Sequence, residues 1–175
     1  MLYSIILACT LDGGIGYNNH IPWDIKSDLI LFKEITCKTN SPFKQNAIIM
    51  GRKTWDSLMY KPLKDRINII ITKNKDFINR DNIYSFNNLD DAFIFCENST
   101  LIDKVFVIGG KSIYDMCLYN DKYNKDIESI YLSVIYKYYV CNIFINFKKL
   151  LSNFTADINN IIFHPQFLHM KMIKK

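Results

Sequence analysis

Glycine is scarce in this chain, with six residues among 175, where an average domain at about 7% would have roughly a dozen. Proline numbers only four, and no Pro/Ser-rich stretch, repeat or break in composition divides the sequence. That leaves a single domain over residues 1–175, within the usual size range. No apolar run approaches the ~18 residues that a membrane-spanning helix needs, so no membrane partner is expected. The apolar start from Met1 to Leu11 lacks a basic n-region and runs into Asp12-Gly13-Gly14, so it reads as a buried strand rather than a signal peptide. Cysteine is present but unpaired in pattern: five residues, at 9, 37, 96, 117 and 141, with no C-x-x-C. An odd, scattered set excludes a disulfide frame and a zinc site, and points to reduced thiols in the cytoplasm. Arginine is rare too. Only Arg52, Arg66 and Arg80 accompany nineteen lysines in a net charge of +5. A nucleic-acid binder clusters its cations and uses the guanidinium fork. Dispersed lysines instead suit an anionic small molecule.

What is abundant is apolar: 49% of the residues are hydrophobic and 14% aromatic, a globular profile. Runs rich in Ile and Val at Tyr3–Thr10, Asn46–Met50, Ile67–Thr72, Val105–Ile108 and Ser129–Ile135 read as strands buried on both faces, as in parallel sheets covered by helices. Helical patterns fall between them. One covers Ile25–Thr36, capped by Asp24, with Ile25, Leu29 and Phe32 on one face. Others run from Leu89 to about Cys96 and from Lys111 to Leu118. Further strands are expected near Cys141–Phe147 and Phe167–Ile173, and Asn-rich loops at 74–88 and 119–126. The fold class is therefore α/β, a central mostly parallel sheet flanked by helices with an antiparallel C-terminal end.

The six glycines sit in three places: Gly13, Gly14 and Gly16; Gly51; and Gly109 and Gly110. They read either as ordinary turns or as points where a ligand leaves no room for a side chain. Gly51-Arg52-Lys53-Thr54 follows a strand and opens a helix, which favours an anion. Thr72-Lys73 puts a second hydroxyl and cation at a strand end. Ile108-Gly109-Gly110-Lys111-Ser112 repeats the strand–glycine–helix arrangement. Ligands of open parallel sheets bind at the carboxyl ends of the strands, and three phosphate-friendly ends fit a dinucleotide, though G-x-G-x-x-G is absent. Asp28, in the first helical turn, is either an acid that stabilises the helix dipole or a carboxylate facing an apolar cleft, with a raised pKa and a demand for an N–H-bearing ligand. His20, His164 and His169 have no partner legible nearby in sequence.

Four motifs then fall in register: Ile21-Pro-Trp-x-x-x-x-Asp28-Leu29-x-x-Phe32-Lys33-x-x-Thr36, Ile49-Met-Gly-Arg-Lys-Thr-Trp-x-Ser57-Leu58, Pro62-Leu63-x-x-Arg66-x-Asn68, and Val107-Ile-Gly-Gly-x-x-Ile-Tyr114. Together they resemble the dihydrofolate reductase family from Met1 to about Ile135, and more loosely beyond. The resemblance implies reduction of 7,8-dihydrofolate to tetrahydrofolate with NADPH, in support of one-carbon metabolism. It implies that Asp28 hydrogen-bonds the pteridine N3–H and 2-amino group, with Ser133 in place of the family's threonine beside it. Leu7, Ala8, Ile21, Trp23, Leu29, Phe32, Leu58, Leu63, Ile108 and Tyr114 would surround the pteridine and aminobenzoyl groups, and Arg66 would pair with the substrate's α-carboxylate. The cofactor would meet Ala8, Ile15, Gly16, Gly51, Thr54, Ile108, Gly109, Gly110, Lys111, Ser112, Ile113 and Tyr114, with Arg52, Lys53, Thr72 and Lys73 near its phosphates. The resemblance further implies a cis Gly109–Gly110 peptide, a lid over Asp12–Asp24, no metal, antifolates such as methotrexate as ligands, and a monomer.

Some residues depart from the family pattern. Asp65 stands where many members have glycine, Lys111 where many have a third glycine, Cys141-Asn142-Ile143 in place of an acidic segment, and Asn146 in place of proline. Trp55 and Leu63 also read as core, Ser57 as helix surface or pocket, and Cys9 and Cys117 as small buried hydrophobes. The rival readings are a riboflavin-pathway reductase, against which Asp28 and Arg66 speak, and a non-catalytic binding relative.

Overall fold

The computed structural model describes residues 1–74, 77 and 79–175. In chain order the elements are β1 (Tyr3–Thr10), β2 (Gly14–Gly16), α1 (Lys26–Cys37), β3 (Gln45–Gly51), α2 (Arg52–Ser57), β4 (Arg66–Ile71), β5 (Ile83–Phe86), α3 (Leu89–Asn98), β6 (Ile102–Val107), α4 (Lys111–Tyr119), α5 (Asp121–Asn124), β7 (Ile127–Ile135), β8 (Ile143–Phe144), α6 (Phe147–Asn153), β9 (Phe154–Phe163) and β10 (Phe167–Lys174). Eight strands form one sheet in the order β5-β4-β3-β6-β1-β7-β10-β9, and β2 pairs with β8 apart from it. The ladders are parallel from β5 to β7. β10 then runs antiparallel to both β7 and β9. The expected architecture is the one observed.

Strand residues alternate between two cores because successive side chains leave a strand on opposite faces. On one face Ile6, Ile48, Met50, Ile70, Phe106 and Ile108 meet Phe32 and Ile35 of α1 and Trp55 of α2. On the other, Ile5, Leu7, Ile49 and Val107 meet Leu89 and Ala92 of α3 and Ile113, Tyr114 and Cys117 of α4. Cys9 and Cys117 are buried free thiols, pushed up to about 12 by desolvation. Trp55 and Leu63 are half-buried against the first of these clusters.

Four expectations need correction. Asp24 does not cap α1: the helix begins at Lys26 and its N-cap is Ile25, with no side-chain cap. Ile25 is held there by burial with Trp23, Ile135 and Phe167. The strand expected over Cys141–Phe147 shrinks to Ile143–Phe144, because Asn146 accepts the Lys149 N–H and starts α6. Asparagine is a strong N-cap residue. The segment expected as loop at 119–126 contains α5, capped by Asn120. The one expected at 74–88 contains β5, while Lys75, Asp76 and Ile78 within it lie outside the described residues. The edge strand β9 was not among the expected strands: Asp157, Asn159 and Asn160 interrupt its apolar residues, and most of it is exposed.

Candidate active site

The parallel ladders bring the C-terminal ends of β1, β3, β4 and β6 side by side, and α1 covers one face of the sheet next to them. In the first turn of α1, Asp28 is half-buried. Desolvation raises its pKa, and the nearby Ser133 hydroxyl and the charge of His164 act to lower it. Ser133 is there because β7 pairs with β1 and places Ser133 opposite Ala8.

At the other end of the same helix is a cation. Arg66 opens β4 and is only 4% exposed. Its Nη1 donates to Thr36 Oγ1 at 2.8 Å and its Nε to the Lys64 carbonyl at 3.0 Å. Its guanidinium carbon lies 5.7 Å from the centre of the Phe32 ring. Thr36 is itself buried and donates to the Phe32 carbonyl at 2.7 Å. Asp65, just before Arg66 where the resemblance expects glycine, holds φ at +63°, a left-handed conformation that glycine adopts more easily. Asp28 and Thr36 are eight residues apart, about 12 Å along a helix rising 1.5 Å per residue. A carboxylate and a guanidinium therefore stand at the two ends of α1. Between them Phe32, Leu58 and Leu63 are half-buried. Leu29 and Ile21 remain 54% and 60% exposed, which leaves apolar surface for a ligand to cover.

Space requires glycine at position 109 and crowds position 110. A Cβ on Gly109 would lie 2.5 Å from the Tyr114 ring, and one on Gly110 would lie 3.1 Å from Thr54 Oγ1. The Gly51 N–H donates to the Gly109 carbonyl at 2.7 Å, which joins the ends of β3 and β6. The Gly109–Gly110 peptide is cis. Gly110 is the N-cap of α4 and gives it no side-chain cap, so the first-turn N–H groups of that helix suit an anion. Arg52 and Lys53 are exposed beside it, Arg52 bonded to Asp56 at 2.7 Å. Thr72 and Lys73 follow β4 next door. Lys111 pairs with Asp115 at 2.6 Å, while Ser112 is exposed at the start of α4. Cations, hydroxyls and an uncapped helix start around a space that a Cβ would narrow fit a phosphate-bearing dinucleotide. Ile15 and Gly16 lie in β2, held by β8.

Not every residue singled out in the sequence lies on the α1 face of the sheet. Leu7 belongs to the core on the opposite face of the sheet, and Ile6 takes the place on the α1 side. Trp23 is buried against Ile25, Ile135 and Phe167, with its ring 5.7 Å from that of Tyr139. Ile113 and Tyr114 are buried in the core under α4, and the Tyr114 hydroxyl donates to the Ile6 carbonyl at 2.8 Å. Ser57 turns inward on its own helix and donates to the Thr54 carbonyl at 2.8 Å. Sequence reasoning missed His169, which is buried with its Nδ1 3.0 Å from Ser133 Oγ. The two residues are opposite each other on β10 and β7, a pairing that no local sequence signal announces.

The family profile of dihydrofolate reductase matches residues 2–155. A dihydrofolate reductase of Heliothis virescens is 37% identical over 146 residues, covering 81% of this chain and 77% of that protein. One of Pneumocystis carinii is 35% identical over 156 residues, covering 83% and 74%. A bifunctional dihydrofolate reductase-thymidylate synthase of Glycine max is 37% identical over 172 residues, 91% of this chain but 32% of that longer protein.

Proposed function

The chain belongs to the dihydrofolate reductase family, and we propose that the cleft between α1 and the sheet is where it holds 7,8-dihydrofolate for reduction to tetrahydrofolate. The observation that carries the residue-level reading is the pairing of Asp28 and Arg66 at opposite ends of α1. Their spacing matches a ligand with N–H donors at one end and a carboxylate at the other. In this reading Asp28 accepts from the pteridine N3–H and 2-amino group, and the Ser133 hydroxyl steadies the carboxylate. Phe32, Leu29, Ile21, Leu58, Leu63, Ile6, Ala8 and Ile108 exclude water from the flat ring system. Arg66 receives the α-carboxylate, its fork held in plane by Thr36 and the Lys64 carbonyl, as suits bidentate recognition.

NADPH, when bound, supplies the hydride that reaches C6 of the pteridine. Gly51, Thr54, Gly109 and Gly110 give it close approach to the backbone, with Arg52, Lys53, Thr72 and Lys73 for its phosphates and Ile15 and Gly16 from the loop above. The protein's part is orientation, a dry site and one buried charge. Asp28 binds the far edge of the pteridine from N5, so it holds the ring and water delivers the N5 proton. The reading also takes the enzyme to be a cytoplasmic monomer that methotrexate inhibits. Its five cysteines are free thiols, and among the described residues no helix is long and apolar enough to cross a membrane.

The test is NADPH oxidation with dihydrofolate, with and without methotrexate, in the parent and Asp28→Asn. Asp28→Asn takes the charge from two hydrogen bonds to the pteridine, each worth roughly 1.5–3 kcal/mol, or ~10²–10⁴-fold together. The variant should lose at least that much at pH 7 and recover in part at low pH, where solvent protonates the substrate. A variant within a few-fold of the parent at pH 7 removes Asp28 from the reaction.

A further inference from the structure

We infer that His169 is a positioning residue for Asp28: its imidazole donates from Nδ1 to the Ser133 hydroxyl, which commits the one hydroxyl proton to the Asp28 carboxylate. The inference rests on the assignment of Asp28 as the substrate-binding acid. It begins from the row that β7 and β10 build, in which Ser133 and His169 face each other with Nδ1 and Oγ 3.0 Å apart. Both residues are only 4% exposed.

The titratable groups around this row come from several elements. α1 brings Asp28, and β7 brings Tyr131, whose ring stacks on His169 at 6.3 Å and 19°. β10 brings Lys171, with its Nζ 6.0 Å from the Tyr131 ring centre. The turn between β9 and β10 brings His164, whose charge acts on Asp28. β1 contributes Ala8, which is not titratable.

Counting protons selects the arrangement. A hydroxyl has one proton to donate, an ionised carboxylate only accepts, and a neutral imidazole has one N–H and one bare nitrogen. Burial drives the His169 pKa down to about 4, so at neutral pH the ring is uncharged. If Nδ1 were bare, it would compete with Asp28 for the hydroxyl proton. If Nδ1 carries the hydrogen, it fills a lone pair of Oγ and leaves that proton for Asp28. Hydrogen bonds to a charged acceptor are roughly twice as strong as neutral ones, so the second arrangement prevails while Asp28 is ionised.

The experiment uses the full chain. Nitrogen NMR reads the tautomer of His169 against pH, and carboxyl-carbon NMR reads the titration of Asp28. Both are set beside the pH profile of dihydrofolate reduction. The parent should show the Nδ1–H tautomer at neutral pH, where the His169 ring is uncharged. Bonds in a chain strengthen one another by about 10–30%. His169→Phe should accordingly raise the Asp28 midpoint by about half a pH unit, roughly threefold in its ionisation constant, and move the rate profile equally. His169→Asn, which keeps an N–H donor at the same distance from the backbone, should restore both. In a Ser133→Ala background, His169→Phe should add no further shift, because the link is already cut. A bare Nδ1 at neutral pH, or an equal shift with and without Ser133, overturns the proposal. The tautomer measurement needs no variant, so it decides even if a substitution unfolds the chain. A parent that does not reduce dihydrofolate would instead refute the functional reading, and the NMR arms would still judge the His169–Ser133–Asp28 chain.

Discussion

Acid should unfold this protein partly through His169, and replacing that residue should remove the effect. Burial without a compensating charge takes its pKa from 6.5 to about 4, while in the unfolded chain it titrates near its ordinary value. Between those two pH values the unfolded chain binds more protons than the folded one, so stability rises with pH across that window. The contribution is fully present above about pH 6.5 and is lost as pH falls toward 4. A gap of about 2.5 pH units at 1.36 kcal/mol each amounts to about 3 kcal/mol, a large share of the 5–15 kcal/mol typical of a domain. Asp28 acts in the opposite sense. Its raised pKa means that ionisation as pH rises weakens the fold, but it is present in both proteins and largely cancels in the difference. Even the half-unit change argued above alters that difference by less than about 1 kcal/mol. His169→Phe shifts stability by an offset that does not depend on pH, because phenylalanine does not titrate. Urea unfolding of parent and variant at several pH values from 7.5 to 4, followed by the fluorescence of Trp23 and Trp55, gives the comparison. At a slope of about 1–3 kcal/mol per molar urea, the parent midpoint should fall relative to the variant by roughly 1–3 M over the range. Parallel curves would show that His169 takes up its proton equally in both states, and would refute the reasoning.

Arg66→Lys keeps the charge but loses the fork that Thr36 and the Lys64 carbonyl orient. Dihydrofolate and methotrexate should bind at least about tenfold more weakly, since one hydrogen bond to a charged group is worth roughly 1.5–3 kcal/mol. A pteridine without the glutamate should bind as before, and equal loss in titrations of the short ligand would make Arg66 structural. Arg52→Ala and Lys73→Ala should each weaken NADPH by about tenfold or more, on the same magnitude, and leave NADH nearly unchanged. Equal losses for both cofactors would place these residues on a shared group or on the fold. Asn142 accepts the Asn18 N–H at 3.1 Å, returns an amide N–H to Asn18 Oδ1 at 2.8 Å, and bonds the Gly16 carbonyl through its backbone at 3.0 Å. Asn142→Asp replaces the neutral acceptor by a charged one once the Asn18 amide turns to donate. The closed loop should gain about 1 kcal/mol, roughly fivefold in its population. Stopped-flow hydride transfer and product release should both change, and if neither does, the backbone bond to Gly16 holds the loop by itself.

Much of the architecture was legible because it rests on local chemistry. Strands buried on both faces, such as Ile48-Ile49-Met50, show as unbroken apolar runs. In a chain this poor in glycine, Gly51 and Gly109-Gly110 could mark only turns or contacts too close for a side chain. Asp28 and Arg66 were legible through their motifs, since each is tied to apolar neighbours at helical or strand spacing.

Other features depended on partners distant in sequence. Alternation along β1 says that Leu7 and Ile6 face opposite ways, but only the packing of α1 on one side decides that Ile6 looks into the cleft and Leu7 into the other core. The edge strand β9 is paired by backbone hydrogen bonds to β10 and buries few side chains, so its apolar residues, interrupted by Asp157, Asn159 and Asn160, do not form the unbroken run that marks the central strands. Asn146 looked like a departure from proline within a strand, and became the cap of α6 because its amide oxygen reaches the Lys149 N–H. Ser133 and His169, 36 residues apart, become a pair only through the register of two antiparallel strands. A slip of one residue would turn His169 to the opposite face of the sheet. The amino-acid sequence by itself determined which segments are buried and which residues can carry charge. Register and the docking of α1 decided which of those charges and hydroxyls meet, because such contacts exist only once the whole sheet has formed.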